Sequence, residues 1–456
     1  MESVSTSVVT QENFEVTIER ILPGGLGLAH ADGRTVMVAL AAPGDRVRVS
    51  IDRVKGNVAF ALIQEIITPS PQRVEPPCQY FGRCGGCDFQ QLTYQAQLDA
   101  KVEIIKDCLR RIGRIENVPD FQITPAPNAW HYRTRAQWQY DSIRRRLGYF
   151  EGGSRRVCDV AECAVLAPEL QQTLSDLRER MQDGSLPEDA RDFRAVAGDD
   201  GVSLVPDPGR NPTVREGAER RGTSPTVREG SGLGMQSEQV RDITRTINGE
   251  RYSFNAESFF QANDDLLLQL IDAAIGESHG ETAVELYCGV GLFTVPLARR
   301  FTRVVAIEGD ATATRFAREN LANAGLTNAQ VANQDVTGWL EENLECAGND
   351  GALDHANRTR KGSAGRTIIR SGVTAAVQSP PDFLLLDPPR TGAESRVIVG
   401  VLNLKPKRIN YVSCDPATLA RDLRKLIAGG YTLESIAAFD MFPQTHHVEA
   451  VVHLLL

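Results

Sequence analysis

One stretch of this sequence, residues 282–308, constrains the fold more than any other. Residues 282–286 predict a short buried strand, and the glycine turn Tyr-Cys-Gly-Val-Gly follows at 287–291. A helix is predicted from Leu292, and a second strand at 304–307 ends in Glu308. Strand, glycine turn, helix, strand and acid in this order are typical of a Rossmann-like α/β sheet. In such a sheet the glycines let a ligand approach the backbone at the carboxyl ends of the strands.

Acidic residues also follow the next two predicted strands, Asp335 after the third and Asp387 after the fourth. Thr294 stands where a dinucleotide-binding sequence has its third glycine, which disfavours a dehydrogenase. The series of acids favours a methyltransferase that uses S-adenosylmethionine (SAM). In this interpretation Glu308 holds the ribose, Asp335 lies near the adenine, and Asp387 lies between cofactor and substrate. Arg390 stands where amino-methyltransferases usually have an aromatic residue, and this favours methylation of carbon.

A cysteine near the C-terminus is the predicted nucleophile. Residues 409–412 predict a buried strand, Ser-Cys-Asp-Pro ends it at 413–416, and residues 417–429 predict a helix. Cys414 therefore lies where the positive end of a helix dipole favours a thiolate. A lone cysteine is more often a small buried hydrophobic residue, so this prediction depends on the rest of the site.

Methylation of carbon-5 of uracil needs such a cysteine, because this carbon is a poor nucleophile. A thiolate that adds to carbon-6 turns carbon-5 into an enolate carbon, which can attack the methyl group of SAM. A base then removes the proton from carbon-5, and the thiolate leaves. Glu449 is the predicted base, since it stands at the start of a final predicted strand, residues 450–455. His446 and His447 are alternatives that are more typical of orienting residues.

Three further cysteines form a Cys-x5-Cys-x2-Cys pattern at Cys78, Cys84 and Cys87. Three thiols so close in sequence, with two glycines between the last pair, favour a site for zinc or an iron–sulfur cluster. Spacing alone does not separate these two. Cys158 and Cys163 are the candidates for a fourth ligand.

The chain before this pattern, residues 1–70, predicts a five-stranded OB-like β-barrel. Short strands are predicted at 14–18, 35–38, 46–51 and 59–66, with glycine-containing turns between them. The turns Gly-Gly-Leu-Gly at 24–27 and Pro-Gly-Asp at 43–45 resemble those of the TRAM domain. That domain is an RNA-binding barrel found in RNA-modifying enzymes.

Residues 71–250 predict a central RNA-binding domain, and residues 251–456 the methyltransferase domain. A helix is predicted at 94–114, and residues 94–118 are expected to pack on the methyltransferase domain. Residues 130–156 contain seven arginines, two acidic residues and six aromatic residues, a mixture that suits a single RNA strand. The alternative is a solvated sheet whose aromatic residues form its buried face. Low-complexity insertions are predicted at 200–240 and 347–379.

The partner predictions follow from charge and hydropathy. A net charge of −9 disfavours a surface that coats nucleic acid uniformly, but it is compatible with a local basic face. The polar N-terminus has no signal-peptide core, and no run reaches the roughly 18 apolar residues of a membrane helix. We therefore expect a cytoplasmic monomer that binds RNA, with neither a membrane nor DNA as partner.

The motifs occur together in a fixed order: Cys-x5-Cys-x2-Cys, Ser-Phe-Phe-Gln-Ala-Asn at 258–263, Glu-Leu-Tyr-Cys-Gly-Val-Gly at 285–291, Asp-Pro-Pro-Arg at 387–390, Ser-Cys-Asp-Pro at 413–416 and His-Val-Glu at 447–449. In this order they resemble the RNA uracil-5-methyltransferase family. The TRAM-like barrel and the cysteines make the sequence most similar to the 23S ribosomal RNA branch. A target uridine would then have to be flipped out of its stack, since carbon-5 and carbon-6 are inaccessible in a duplex.

The resemblance implies a role for each site residue. Cys414 would be the nucleophile and Glu449 the base, and a [4Fe–4S] cluster would be held by Cys78, Cys84, Cys87 and Cys163. The cofactor SAM would contact Gln261, Tyr287, Gly289, Gly291, Leu292, Glu308, Asp335 and Asp387. Leu292 replaces an asparagine that is common in the family, so only its backbone is expected to contact SAM.

Three other functions are compatible with parts of the sequence. A transfer RNA uracil-5-methyltransferase would use the same chemistry, but the barrel and the cysteines disfavour it. A non-catalytic RNA-binding protein would not need Cys414, Glu449 or the series of acids. A small-molecule methyltransferase would not need the barrel or the arginine-rich segment.

Overall fold

A curved β-sheet comes first along the chain in the computed structural model, which describes residues 13–187, 189–207, 240–347, 377 and 379–456. Its strands are β1 (Asn13–Thr17), β2 (Arg20–Ile21), β3 (Gly27–Ala31), β4 (Arg34–Val38), β5 (Arg46–Lys55) and β6 (Val58–Thr68). They lie in the order β1-β5-β6-β4-β3-β2. The edge strands β1 and β2 are two halves of one bent strand, so the sheet closes into a five-stranded barrel. The predicted OB-like barrel is confirmed.

Small and β-branched side chains fill this barrel. The buried residues are Val16, Ile18, Ala29, Val36, Val38, Val47, Val49 and Ala61. Strand β3 is absent from the predicted strands because its first residue, Gly27, is typical of a turn. A Cβ atom at Gly27 would lie 2.8 Å from the Cβ atom of Ala41 and 2.9 Å from Cγ2 of Ile18. Close packing inside the barrel therefore requires glycine at this position in the strand.

The central region is an antiparallel sheet covered by a helix. The elements in this part of the chain are α1 (Tyr94–Arg111), β7 (Ile123–Thr124), β8 (Arg135–Asp141), β9 (Arg146–Phe150), β10 (Val157–Asp159), α2 (Pro168–Asp183), β11 (Asp192–Gly198) and β12 (Gly201–Val205). Strands β8–β12 form the sheet and α2 covers it, whereas α1 and β7 belong to the C-terminal half. Within the described part of the chain the sheet order is β10-β9-β8-β11-β12. Leu170 and Leu174 of α2 pack against Trp138 and Phe193 of the sheet.

The first insertion was predicted to start at residue 200. Residues 201–205 instead form strand β12, which completes the central sheet, so this predicted start is wrong. Residues 208–239 of that insertion lie outside the described residues. Residues 348–376 of the second predicted insertion also lie outside them. The boundaries predicted at 70/71 and 250/251 stay predictions.

The aromatic residues of segment 130–156 were expected to stack on RNA, and for most of them this prediction is wrong. Trp138 and Tyr132 are buried, and Tyr140 and Tyr149 pack against the core of the central sheet. The reason is the alternation of side chains along β8 and β9, which turns the rings toward α2. Phe150 is 40% exposed, and Arg144, Arg145, Arg146, Arg155 and Arg156 are exposed as well, so these side chains remain available to RNA.

The C-terminal half is built on a largely parallel sheet. Its elements are β13 (Ile243–Ile247), β14 (Glu250–Phe254), α3 (Leu267–Ile275), β15 (Gly280–Leu286), α4 (Thr294–Ala298), β16 (Phe301–Glu308), α5 (Ala311–Asn323), β17 (Ala329–Asn333), α6 (Val336–Ala347), β18 (Phe383–Leu386), α7 (Ser395–Leu404), β19 (Arg408–Ser413), α8 (Pro416–Ala428), β20 (Thr432–Phe439) and β21 (Glu449–Leu455). The described strands lie in the order β17-β16-β15-β18-β19-β21-β20-β7. The first five are parallel, and β21 runs antiparallel to β19 and β20. The predicted Rossmann-like methyltransferase fold is confirmed.

Two elements from the N-terminal half belong to this part of the structure: a strand that extends the sheet and a helix that packs on it. Strand β7 pairs with β20 at the sheet edge, where Ile123 is opposite Ala438. Helix α1 inserts Ile105, Cys108 and Leu109 into the core shared by β18, β19 and α8. No helix in the described part of the chain is both long enough and apolar enough to cross a lipid bilayer.

A buried ion pair fixes α1 to the end of β20. The ammonium group of Lys101 bonds to the carboxylate of Asp440, and both side chains are fully buried. The ammonium group also donates to the carbonyl of Phe442 (3.0 Å). Burial lowers the pKa of Lys101, and the neighbouring Asp440 opposes that shift.

Lys101→Met should destabilise the protein by about 3–5 kcal/mol, because it leaves the carboxylate of Asp440 buried without its cation. The double variant Lys101→Met, Asp440→Leu should cost less than the single variant, since no unpaired charge remains. Urea unfolding followed by circular dichroism measures both. If the double variant is as unstable as the single variant, the carboxylate is not the cause.

Candidate active site

A cleft of about 800 Å³ opens at the carboxyl edge of the parallel strands. This is the edge at which α/β sheets bind their ligands. Eight predicted site residues line the cleft: Gln261, Tyr287, Gly289, Leu292, Glu308, Asp387, Cys414 and Glu449. Residues that are far apart in sequence thus meet in one cavity, large enough for a nucleoside-sized ligand and a flipped base.

The glycine turn between β15 and α4 forms one wall of the cleft. Its backbone is left-handed at Tyr287 (φ 67°), Gly289 (φ 54°) and Gly291 (φ 88°). This conformation is easy for glycine and uncommon for tyrosine. The N–H groups of Tyr287 and Cys288 both donate to the carbonyl of Ile307 (2.9 and 3.1 Å), which fixes the turn against β16.

Glu308, the last residue of β16, faces this turn. Its Oε2 accepts a hydrogen bond from the N–H of Gly289 (2.9 Å), and its Oε1 accepts one from the N–H of Asp310 (2.8 Å). Each carboxylate oxygen can accept a second hydrogen bond. Glu308 can therefore still bind the hydroxyl groups of a ligand.

Gly291 and Asp335 are the two predicted cofactor residues that do not line the cleft. A Cβ atom at Gly291 would lie 3.3 Å from the Cα atom of Ala317, so this glycine lets α5 pack closely. Oδ1 of Asp335 accepts a hydrogen bond from the N–H of Gly338 (2.9 Å), and the residue is exposed at the start of α6. Contact with a cofactor stays a prediction for both.

A buried acid beneath the glycine turn, Glu285, was missed by the sequence analysis. Burial raises its pKa to about 8, and the charges of Asp387 and Glu308 add to the shift. The hydroxyl of Thr294 donates to Oε2 (2.6 Å), while Oε1 has no hydrogen-bond partner among the described residues. The available signal was a charged residue inside an otherwise apolar strand. Thr294 is thus explained, because its hydroxyl makes a bond that glycine could not.

Cys414 lies between β19 and α8, as predicted, but its electrostatics differ from the prediction. Burial raises the pKa of its thiol to about 12, and the charge of Glu449 contributes, whereas Arg390 lowers it. Asp415 caps α8 by accepting a hydrogen bond from the N–H of Thr418 (2.8 Å). Burial therefore disfavours the thiolate, and Arg390 is the cation that favours ionisation.

Glu449 lies next to Cys414 because β19 and β21 are antiparallel neighbours. The last paired residues are Ser413 and Ala450, and Cys414 and Glu449 are the next residue beyond this pair on each chain segment. Both residues line the cleft. Burial raises the pKa of Glu449 well above its ordinary value, Asp387 adds to the shift, and Arg390 opposes it.

Asp387 and His447 complete this end of the cleft. Burial raises the pKa of Asp387 to about 7. Burial and the neighbouring His446 lower the pKa of His447 to about 3, so its ring is neutral. His446, the other alternative base, does not line the cleft, because its ring bonds to Asp88.

The mouth of the cleft presents a cation and an aromatic ring. Phe259 is 59% exposed, and the guanidinium carbon of Arg135 lies 5.6 Å from its ring centroid. Arg135 donates to the carbonyl of Ser258 (2.7 Å), and no carboxylate of the described residues pairs with it. Phe259 was not predicted as a site residue from the sequence, since a Phe-Phe pair is more often buried.

A second, smaller cavity collects the predicted metal ligands Cys78, Cys84, Cys87 and Cys163. Cys158 is excluded from it, because it is buried in the central core, where it accepts a hydrogen bond from Nε of Arg83 (3.2 Å). Burial raises the pKa of Cys84 to about 12 and that of Cys87 to about 11. Within the described ranges, no group of three or more His, Cys, Asp or Glu side chains is arranged to hold a metal ion.

Comparison with known proteins identifies the family. The model of the tRNA (uracil-5-)-methyltransferase family matches residues 230–341 and 379–455, and that of the TRAM domain matches residues 10–63. The chain is 31% identical to a 23S rRNA (uracil(1939)-C(5))-methyltransferase of Alkalilimnicola ehrlichii, over 97% of this chain and 96% of the relative. A protein of the same name from Pectobacterium atrosepticum is 30% identical, over 98% and 94%.

A solved structure with the same fold is the tRNA (uracil-54, C5)-methyltransferase of Pyrococcus abyssi in complex with S-adenosyl-L-homocysteine. It superposes with a TM-score of 0.64 at 22% identity, over 97% of this chain and 100% of that chain. Full-length similarity and the ordered motifs agree. The chain therefore belongs to the RNA (uracil-5-)-methyltransferase family.

Proposed function

We propose that this protein methylates carbon-5 of a uridine in 23S rRNA, with SAM as the methyl donor. The pairing of β19 with β21 carries the proposal, because it sets a thiol and a carboxyl group side by side in the cleft. The names of the two relatives that match nearly the whole chain support 23S rRNA as the target. Uridine 1939 is the first position to examine.

The glycine turn and Glu308 fit SAM. Left-handed glycines leave room for the cofactor beside the backbone, and the free acceptor sites of Glu308 suit the two ribose hydroxyls. Gln261 and Tyr287 line the same wall. Bound SAM would supply an electrophilic methyl group at the Asp387 end of the cleft.

In the proposed reaction the Cys414 thiolate adds to carbon-6 of the uracil. The electron pair of the former double bond makes carbon-5 a nucleophile, which takes the methyl group as the carbon–sulfur bond of SAM breaks. Glu449 then accepts the proton of carbon-5. The electrons of that C–H bond restore the double bond and expel the thiolate.

Burial gives each group the property that its step requires. The raised pKa of Glu449 makes its carboxylate a stronger base than an exposed glutamate. The raised pKa of Cys414 makes its thiolate more nucleophilic but less populated. Arg390 favours the thiolate at the moment of attack.

The rate of methylation should therefore rise with pH. Nucleophile and base act in their ionised forms, and burial raises the pKa values of Cys414, Glu449 and Asp387, the last to about 7. We expect the single-turnover rate at saturating SAM and RNA to increase from about pH 6 to about pH 9. A rate that is constant or falls over this range would contradict the assignment.

RNA would enter at the mouth formed by Phe259 and Arg135. A half-exposed ring can stack on a base, and an arginine without a carboxylate partner can bind a phosphate. Arg144 and Arg145 on the β8–β9 turn and Arg146 at the start of β9 are exposed and would offer further cations to RNA phosphates.

The test of the function is a direct assay. Purified protein is incubated with unmodified 23S rRNA, unmodified transfer RNA and methyl-labelled SAM, and the label is mapped by nuclease digestion and mass spectrometry. We expect 5-methyluridine at one uridine of 23S rRNA. Label in transfer RNA alone would overturn the ribosomal target, and label on nitrogen or ribose oxygen would overturn the chemistry.

We also propose that Cys78, Cys84, Cys87 and Cys163 hold a [4Fe–4S] cluster. Four thiols that share one cavity are soft ligands with no other use in the core. The Cys-x5-Cys-x2-Cys spacing does not separate zinc from a cluster, and the resemblance to the 23S ribosomal RNA branch of the family is what favours the cluster. Bound there, the cluster would tie the loop of residues 78–87 to the segment before α2.

Anaerobically prepared protein should contain about four iron and four sulfide per chain. Cys163→Ser should lose most of both, whereas Cys158→Ala should retain them, because its thiol lies outside the cavity. Iron and sulfide assays with the visible absorption spectrum measure the effect. Stoichiometric zinc in the wild type, or equal iron loss in both variants, would refute the ligand set.

A further inference from the structure

The segment that leads into Glu449, residues 440–448, is held by the N-terminal half of the chain; we name it the base loop. The N–H groups of Asp88 and Phe89 both donate to the carbonyl of Gln444 (3.1 and 3.0 Å). The side chain of Gln97 bonds twice to Gln444, to its N–H (2.9 Å) and to its Oε1 (3.0 Å). Gln444 has a φ of 68°, a conformation that persists only where neighbouring groups impose it.

Asp88 also holds this loop through its side chain, in addition to the Lys101–Asp440 ion pair. Oδ1 of Asp88 accepts a hydrogen bond from the backbone N–H of His446 (2.8 Å), and its Oδ2 bonds to Nδ1 of the same histidine. A carboxylate that binds both the backbone and the ring of one residue fixes the position and the rotation of that residue. The His446 ring lies 4.2 Å from the ring of His447, which lines the cleft two residues before Glu449.

Gly25 of the barrel packs directly against the contact between Asp88 and His446. A Cβ atom at Gly25 would lie 3.1 Å from Oδ2 of Asp88 and 3.2 Å from Cβ of His446. Gly25 also has a φ of 78°, so glycine is required both by the turn and by the contact. Three parts of the chain therefore meet at one point: the barrel, the cysteine loop and the base loop.

Asp88 directly follows Cys87, which lines the cysteine cavity. The cysteine loop thus reaches the base loop through a single residue. Among the described residues no hydrogen bond joins Asp88 to Cys414 or to α8, so the contact of Asp88 acts on Glu449 and not on Cys414.

We infer that Asp88 is a positioning residue that holds the base loop so that Glu449 can remove the proton from carbon-5. The inference rests on the proposed roles of Cys414 and Glu449. Cys414 lies between β19 and α8, to which Asp88 makes no hydrogen bond among the described residues, whereas Glu449 directly follows the loop that Asp88 holds. Loss of Asp88 should therefore slow proton removal more than thiolate addition and methyl transfer.

Selective loss of proton removal can be distinguished experimentally from a general destabilisation of the fold. If proton removal becomes slow, enzyme accumulates as a covalent adduct with RNA that already carries the new methyl group. If Asp88 only stabilised the fold, addition, methyl transfer and release would fall together, and no adduct would accumulate.

The test compares Asp88→Ala with Asp88→Asn and with a matched control, Asp159→Ala. Asp159 forms an ion pair with Arg178 in the central region and has a similar side-chain exposure, 38% against 31% for Asp88. In Asp88→Asn the amide oxygen can still accept from the His446 N–H, and its NH₂ group can donate to Nδ1 of the other tautomer. Adduct is measured on denaturing gels, with unmodified 23S rRNA transcript and methyl-labelled SAM.

In Asp88→Ala we expect kcat to fall by about 10²-fold, since misplacement by an ångström costs that much, and labelled adduct to accumulate. Asp88→Asn should restore most of the rate, and Asp159→Ala should not accumulate adduct. His446→Ala should behave like Asp88→Ala without touching the cysteine loop, which keeps the test valid if Asp88→Ala misfolds.

A slow Asp88→Ala enzyme without adduct, or the same adduct in Asp159→Ala, would overturn the inference. The reference is Glu449→Gln, in which proton removal is blocked directly. If Glu449→Gln forms no adduct, the proposed chemistry fails. If it does and the Asp88 and His446 variants do not, only the inference fails.

Discussion

Cys414→Ala should lower the rate of 5-methyluridine formation by about 10⁴-fold or more, the scale on which enzymes lose activity without their covalent nucleophile. Without the sulfur atom, carbon-5 of uracil is never converted into a nucleophile, so bound SAM has nothing to react with. RNA binding should persist, because the cation and the ring at the mouth of the cleft are unchanged. Labelled SAM with unmodified RNA under single-turnover conditions measures the loss.

Cys288→Ala is the matched control for this variant. Cys288 is also a buried cysteine that lines the cleft, but it belongs to the glycine turn and lies at the cofactor wall. Its replacement should leave the rate within about tenfold of the wild type, as expected for a buried group that does not react. If Cys414→Ala keeps more activity than Cys288→Ala, the covalent mechanism is wrong.

Glu449→Gln should trap the enzyme on its substrate. The amide of glutamine has the same shape as the carboxyl group of glutamate but cannot accept the proton of carbon-5. Thiolate addition and methyl transfer therefore proceed, and release of the RNA from the enzyme stops. We expect release to slow by about 10²- to 10⁴-fold, the usual contribution of a general base. The trapped species should appear on a denaturing gel as protein that carries both RNA and the labelled methyl group.

Two comparisons make this result specific. The double variant Cys414→Ala, Glu449→Gln should form no adduct, because the bond to RNA runs through Cys414. Adduct that carries RNA but no label would mean that Glu449 acts before methyl transfer. In that case another group removes the proton, and His447, which lines the same cleft, would be examined next.

The sequence predicted those parts of the site that depend on residues close together along the chain. The glycine turn, Glu308 at the end of β16, and Cys414 between β19 and α8 all depend on residues close in sequence, and each was found. The pKa of Cys414 was not predictable in this way. The helix dipole is a local property, whereas burial depends on Glu449, Asp387 and the walls of the finished cleft.

The errors in the central region have the same origin. Trp138 and Tyr140 lie on one face of β8 and Arg135 lies on the other, so the sequence alone could not say which face would be covered. Helix α2, which follows later in the chain, covers the rings of Trp138 and Tyr140. Contacts between distant segments, such as Asp88 with His446, leave no periodic pattern and were likewise missed.

The sheet that carries the reaction is completed by α1 and β7, which come from the first third of the chain. During synthesis these two segments leave the ribosome long before β18, β19 and β20 exist. Until then the apolar surfaces of α1 and β7 have no packing partner. Such delayed, long-range pairing slows folding and favours aggregation. Translation must therefore be almost finished before the catalytic half can close, and a protein cut at residue 250 would leave that half without an edge strand and a supporting helix.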